Sequence, residues 1–273
     1  MMFPDYHFHT DFSSDCEESI DNIIKTAKAK GLTSLCVTDH FDMDFPVRPE
    51  EPDMDFDLDI PTYYGTFDKL SKSLAPDFDL RIGVELGVMP ETTEKLNQFV
   101  MNHPELDFTI CSLHVVDGYD PYYPEYFSGK TDKEAYEHYF ETLLYCVRNF
   151  ENFNVCGHLD YVVRYGAGKA DSYRVSDYYD IFRELFSILV SRGQGIEINT
   201  GSLYRGLSFA HPHPDLLKMY KEAGGEILTV GSDAHHAEHI GYAFDYAKEL
   251  LLANGFRYYT TFKNGKPEFH KIS

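Results

Sequence analysis

Residues 6–15 read YHFHTDFSSD, and the connection after the first alternating run in this stretch separates two α/β architectures. The run 6–10 reads as a strand, so His7 and His9, two residues apart, point to the same face. A helical segment at 17–30 comes next and closes on Gly31, a helix-terminating glycine. An open doubly wound sheet would carry a glycine-rich phosphate loop between such a strand and helix. Here the connection 9–15, HTDFSSD, contains no glycine. The stretch favours a barrel.

Working outward, β-type runs at 34–40, 80–86, 108–115, 154–159, 195–199 and 226–230 alternate with helical segments near 62–74, 91–102, 132–150, 176–192, 214–223 and 241–254. The helix near 132 opens with Thr131 and Glu134, the spacing of a capping box. Seven βα units in series predict parallel strands joined by helical crossovers. The run 258–262 fits one more short strand. No Ser/Gly linker or composition break divides the chain, so a single domain over 1–273 is expected, a closed or nearly closed barrel one unit short of eight.

The 273 residues carry 45 acidic and 24 basic side chains, a formal charge of −21. A field of that sign repels phosphate backbones and argues against polymeric nucleic acid as a partner. No apolar run is long enough to span a bilayer. The stretch MMFPDYHFHTDFSS lacks the cationic-then-apolar pattern of a signal peptide. Cys16, Cys36, Cys111, Cys146 and Cys156 are odd in number and form no CxxC pair. They read as reduced thiols in a cytoplasmic protein.

The polar residues follow the barrel rule that chemistry gathers at the C-terminal ends of several strands. His7 and His9 lie on the first run, Asp39 and His40 end the second, Glu85 ends the third and His114 the fourth. His158 and Asp160 end the fifth, Asn199 the sixth, and Asp233 and His235 follow the seventh. The strand middles Leu35–Cys36–Val37, Ile82–Gly83–Val84 and Ile227–Leu228 carry no such groups. A lone strand histidine is more often structural than a ligand, but six of the 13 histidines fall on this one rim. Burying so many imidazoles and carboxylates together is costly unless cations or solvent satisfy them. His7, His9, Asp15, His40, Glu85, His114, His158, Asp233 and His235 are therefore candidate ligands. Nine are too many for one ion, so two or three divalent transition metals are expected. The nitrogen–oxygen set suits zinc, manganese or iron and fits calcium poorly. Glu85 is the natural bridge, and paired cations can acidify a shared water into a nucleophile.

YHFHT at 6–10, VTDH at 37–40, GVELG at 83–87, SLH at 112–114, GHLD at 157–160 and GSDAH at 231–235 resemble, in order, the motifs of the PHP (polymerase and histidinol phosphatase) superfamily. The resemblance covers nearly the whole chain. It implies a distorted (β/α)7 barrel with a three-metal site: one metal on His7, His9, Glu85 and Asp233, a second on Glu85, His114 and His158, a third on Asp15, His40 and His235. Asp11 competes with Asp15 for the last place. Asp39 and Asp160 are expected to orient ligand histidines. Within the superfamily, GHLDYVVRYG at 157–166 is similar to the histidinol-phosphate phosphatases.

That resemblance implies hydrolysis of L-histidinol phosphate, a step of histidine biosynthesis, by a metal-bridging hydroxide, with Glu85, Asp233 and His235 at its catalytic centre. Arg164 and Arg205, on rim loops, are expected to grip the phosphate in bidentate fashion. The loop 41–59 holds eight acids and one arginine; Asp42 and Asp44 are candidates for the substrate's cationic end, and Tyr119 for stacking on its ring. The partner is then a small phosphate ester. His211, His213, His236 and His239 flank the rim without matching a ligand position; His103, His138 and His270 read as ordinary. The competing readings are another PHP substrate, a nucleotide or phosphotyrosine peptide, and a non-catalytic PHP-fold binding domain. The sequence is silent on oligomeric state.

Overall fold

In the computed structural model, which describes residues 3–51 and 54–273, the N-terminal segment 5–9 hydrogen-bonds in two directions and so closes the sheet. Towards β1 (Ser34–Val37) its carbonyls accept: Cys36 N donates to Asp5 O at 2.8 Å and Thr38 N to Phe8 O at 3.2 Å. Towards β7 (Leu228–Gly231), Tyr6 N donates to Val230 O and His9 N to Ala234 O, both at 2.9 Å, while Asp233 N donates to His7 O at 2.7 Å. The segment switches partner residue by residue, so it forms isolated bridges instead of a continuous ladder.

Between these edges run β2 (His40–Phe41), β3 (Asp79–Gly87), β4 (Phe108–Ser112), β5 (Val155–Cys156) and β6 (Gly195–Asn199). The order is β1-β3-β4-β5-β6-β7, with β2 continuing beyond β1 along β3, and every pairing is parallel. Taking β1 and β2 as one interrupted strand and adding the N-terminal segment, the barrel has seven staves. It is a distorted (β/α)7 barrel. Helices Ile20–Ala29, Ile60–Leu74, Thr93–Asn102, Asp132–Asn149, Tyr179–Arg192, Pro214–Glu222 and Phe244–Ala253 follow the successive staves. The expected capping box is formed: Thr131 Oγ1 accepts from Glu134 N, and the Glu134 carboxylate accepts from Thr131 N.

The fourth and fifth staves are shorter than the sequence suggests, and the seventh begins at Leu228 instead of 226. The fourth ends at Ser112. The fifth is cut to Val155–Cys156 because the next free amide, His158 N, donates to the Glu197 side chain at 2.7 Å instead of extending the ladder. The run at 258–262 is not a stave. It is β8 (Tyr258–Lys263), paired antiparallel with β9 (Lys266–Lys271) in a hairpin. Phe262 of that hairpin packs on Phe108 with ring centroids 5.1 Å apart and joins Tyr6, Cys36, Ile110, Val155 and Ile227 in a buried cluster. This cluster floors the barrel at the N-terminal ends of its strands. All five cysteines are buried and free. Among the described residues no helix is long and apolar enough to cross a membrane.

Candidate functional site

Glu85, near the end of the longest stave, is buried and aims each carboxylate oxygen at a different set of imidazoles. Oε1 lies 3.2 Å from His114 Nε2 and 3.0 Å from His158 Nε2, and accepts from Ser112 Oγ at 2.6 Å. Oε2 lies 3.1 Å from His7 Nε2, 3.5 Å from His9 Nε2 and 3.1 Å from His40 Nδ1. Asp233 Oδ1 approaches His9 Nε2 at 3.6 Å and His235 Nδ1 at 3.7 Å. On the solvent side Asp15 Oδ2 sits 3.0 Å from His235 Nε2 and 3.7 Å from His40 Nε2. The rings of His9 and His40, and of His9 and His235, stand 4.2 Å apart.

The backbone is bent to allow this. Asp233 has φ +55°, a left-handed conformation that costs a non-glycine residue energy and recurs at functional sites. Next to it Gly231 lets the first stave approach: a Cβ there would lie 2.3 Å from His7 Cβ.

Several of these atoms have no hydrogen-bond partner although they are buried: His7 Nε2, His9 Nε2, His40 Nδ1, His158 Nδ1, Asp42 Oδ1 and Glu85 Oε2. Native proteins rarely leave buried polar atoms unpaired. Most of these are lone-pair donors within a few ångströms of one another, as a cation requires. Three-residue groups with converging ligand atoms are His7–His9–Glu85, Glu85–His114–His158, His9–His40–His235 and His40–Asp42–His114. The nitrogen–oxygen donor set therefore fits divalent transition metals.

The electrostatics agree. Burial raises the Glu85 carboxyl, yet the imidazoles of His7, His40 and His114 outweigh it and hold the group well below its usual range. Asp233 behaves likewise, burial being overcome by Arg205 and His9. Burial, helped by the His235 and His40 rings, drives His9 well down. His158 is also lowered by burial. Burial opposes protonation of His7 and His114 too, but carboxylates at both ring nitrogens, led by Glu197 and Asp42 respectively, drive them well up.

The cluster lines one wall of a cavity of about 350 Å³. Arg164 and Arg205 stand on its rim and converge on Asp233 Oδ2, at 3.6 and 3.1 Å. Arg164 is buried, and its Nε and Nη2 have no hydrogen-bond acceptor. The rest of the lining includes Phe45, Met54, Phe56, Tyr122, Tyr123 and Tyr165, with two acids, Glu51 and Asp120; the Phe56 ring lies 4.8 Å from that of His40. Asp120 accepts from Tyr122 N at 2.7 Å and from Tyr161 OH at 3.2 Å.

A family model described as "PHP domain" matches residues 5–201. The chain belongs to the PHP domain family. It is 34% identical over 270 residues to a histidinol-phosphatase of Lactococcus lactis subsp. lactis, covering 98% of this chain and 97% of that one. A Clostridium acetobutylicum protein named "Probable histidinol-phosphatase" is 32% identical, with 92% of each chain covered. A crystal structure of histidinol phosphate phosphatase from Lactococcus lactis subsp. lactis, complexed with zinc, L-histidinol and phosphate, superposes with a TM-score of 0.85 at 33% identity, covering 98% of this chain and 99% of that one.

Within this PHP chain the nine candidate ligands are brought together, and of the two exposed acids Asp11 and Asp15 it is Asp15 that faces the imidazoles. The orienting groups differ from expectation. Asp160 accepts from His211 Nδ1 at 2.6 Å and from His213 N at 2.9 Å, and touches none of the nine. Asp39 binds Thr10 and Ser13, and reaches His9 only through Ser13 Oγ, 3.4 Å from His9 Nδ1. Asp42 lines the cavity; its Oδ2 is held 2.6 Å from His114 Nδ1 and orients that ring, while its Oδ1 has no hydrogen-bond partner. Gly87 makes room for it, since a Cβ there would fall 2.1 Å from the Asp42 carboxyl. Asp44 is exposed and pairs with Lys95. Tyr119 is exposed and is not among the cavity residues. Asp53 of the acidic loop lies outside the described residues. Glu197, absent from the sequence-based candidates, turns out to hold His7 Nδ1 at 2.8 Å.

Proposed function

We propose that residues 1–273 form one catalytic domain that hydrolyses L-histidinol phosphate to L-histidinol and phosphate, a metal-dependent cytoplasmic phosphatase of histidine biosynthesis. The observation that carries this reading is the mixed lining of the cavity: unpartnered imidazole and carboxylate atoms and two arginines together with aromatic rings and two further acids. Similarity to a phosphatase solved with zinc, L-histidinol and phosphate supports it.

His7, His9, Glu85 and Asp233 would hold one cation, Glu85, His114 and His158 a second, and Asp15, His40 and His235 a third. Zinc is the favoured ion. When bound, such cations supply positive charge to the phosphoryl oxygens and acidify water. The chain's own groups do the rest. Arg164 and Arg205 turn from Asp233 to the phosphate, adding donors where charge develops during transfer. Glu85, Asp233 and His235 line the cavity beside them and form the catalytic core, whereas His7 and His9 lie deeper and anchor it. Phe45, Phe56 and the tyrosines exclude water and face the imidazole of the alcohol. Asp120 and Glu51 offer negative charge to its ammonium.

The test is phosphate release by the zinc-loaded and chelator-stripped chain, on L-histidinol phosphate, a nucleoside monophosphate and a phosphotyrosine peptide. Metal-dependent turnover with marked preference for histidinol phosphate is expected. Turnover of the others without it would refute the substrate, and no bound metal would refute the whole reading.

A further inference from the structure

Glu197 lies in the middle of β6, flanked by Ile196 and Ile198. Alternation along a strand sends the isoleucines to the helix side and Glu197, with Asn199, into the barrel. It is buried, at 1% exposure, and meets three donors. Its Oε2 is 2.8 Å from His7 Nδ1. Its Oε1 accepts from His158 N at 2.7 Å and from Asn199 Nδ2 at 3.0 Å. The Asn199 amide is fixed in turn, because its Oδ1 accepts from Gly201 N at 3.0 Å. Three N–H groups directed at two oxygens can be satisfied only by a side chain that accepts at both ends, which means a carboxylate.

This has a chemical consequence at His7. A carboxylate at Nδ1 keeps a proton on that nitrogen, so the lone pair that His7 can offer a cation, once its second proton is lost, is on Nε2, the buried unpartnered atom 3.1 Å from Glu85. The other oxygen holds the backbone of His158, whose ring serves the opposite oxygen of Glu85. One side chain thus spans the two halves of the cluster.

We propose that Glu197 is a positioning residue that locks His7 in the Nδ1–H tautomer and fixes its spacing from His158, so that the cations of the two halves bind as a pair. The inference rests on the metal-binding reading of the site but not on the substrate. Glutamine is the informative replacement. If its oxygen faces His158 N, its NH2 group donates to His7 Nδ1 and forces the proton onto Nε2, where it blocks ligation. If it flips, NH2 faces two donors.

Zinc-loaded wild-type and Glu197→Gln proteins would be dialysed against graded chelator, with folding followed by circular dichroism. The chelator concentration that strips half the zinc should fall by about 10- to 100-fold in the variant, the usual cost of losing a carboxylate behind a ligand histidine. In parallel, 15N histidine spectra of the zinc-loaded wild type, with His7 assigned through His7→Asn, should show Nδ1 protonated. A protonated Nε2 at His7, or a folded variant that keeps zinc as tightly as wild type, would overturn the role of Glu197 alone. A wild type that binds no zinc would overturn the metal site with it. The spectral arm decides even if the variant does not fold.

Discussion

The floor and the rim of this barrel are built from the same staves, a few residues apart, and obey opposite rules. At the floor, Tyr6, Cys36, Phe108, Ile110, Val155, Ile227 and Phe262 pack on one another, and the one polar tip is satisfied: Tyr6 OH lies 3.2 Å from both the carbonyl and the amide of Phe262. One residue beyond Tyr6, the first stave reaches His7, whose Nε2 is buried without a partner. Close packing makes the floor self-sufficient. The rim concentrates buried ionisable groups, whose desolvation is offset only by mutual pairing and by cations. The floor therefore adds stability through packing, as does the larger core between barrel and helices, while the rim is preorganised for ligands at some cost to the fold.

Glu85→Gln should have the largest effect, because each oxygen of this carboxylate faces a different group of imidazoles. Turnover should fall by roughly 10³-fold or more, the scale of losing a group that stabilises charge at the reacting centre, and bound zinc should fall with it. The apo variant should lose some stability, because the imidazoles paired with the carboxylate lose their partner, but less than a floor truncation costs, since those rings can shed their protons. A loss larger than that of Phe262→Ala would mean that the rim carries the fold, contrary to the comparison.

Phe262→Ala attacks the other end. Phe262 is 2% exposed, and truncating such a ring costs about 3–5 kcal/mol. Denaturant titration should show that loss, while zinc content and turnover below the unfolding transition stay at wild-type values. Stripping zinc should cost the wild type about 2.7 kcal/mol for each occupied site where free zinc stands at 100 times its dissociation constant. Sites this independent should add to within about 0.5 kcal/mol, so the Phe262→Ala apo protein should show the sum of the two losses. A clear excess or shortfall would show that floor and rim are coupled.

Legibility in the sequence divides along the same line. The staves and helices were readable because apolar periodicity is local, and the rim residues on the staves because strand ends are marked by where that periodicity stops; Asp15, in a loop, had no such mark and rested on the resemblance. What escaped was pairing across distance. His158 and Asp160 are neighbours in sequence, yet the turn beginning at Tyr161 sends Asp160 to His211, while the carboxylate behind His114 comes from Asp42, 72 residues away. Glu197 left a usable signal: an acid between two isoleucines of a buried strand, with the parity of Asn199, must enter the barrel. The hairpin was half visible, since the run 258–262 reads as a strand but nothing in it says that its partner is the chain just ahead.

The smallest expected effect lies within the rim, between its phosphate end and its alcohol end, and it tests whether Asp120 recognises charge. Burial pushes the Asp120 carboxyl up to about 6, against the hydrogen bonds from Tyr122 and Tyr161. Above that pH it is a carboxylate that attracts the substrate ammonium, and below it the group is neutral and the attraction is lost. KM for L-histidinol phosphate should therefore rise as pH falls through about 6, and Asp120→Asn should abolish that rise while raising KM about tenfold at neutral pH, equivalent to about 1.4 kcal/mol. The phosphate and imidazole of the substrate titrate nearby, so the quantity to follow is the ratio of variant to wild-type KM, in which they cancel. For p-nitrophenyl phosphate, which carries no cation, the ratio should stay near one at every pH. If the ratio rises equally for both esters, Asp120 shapes the cavity without reading its charge.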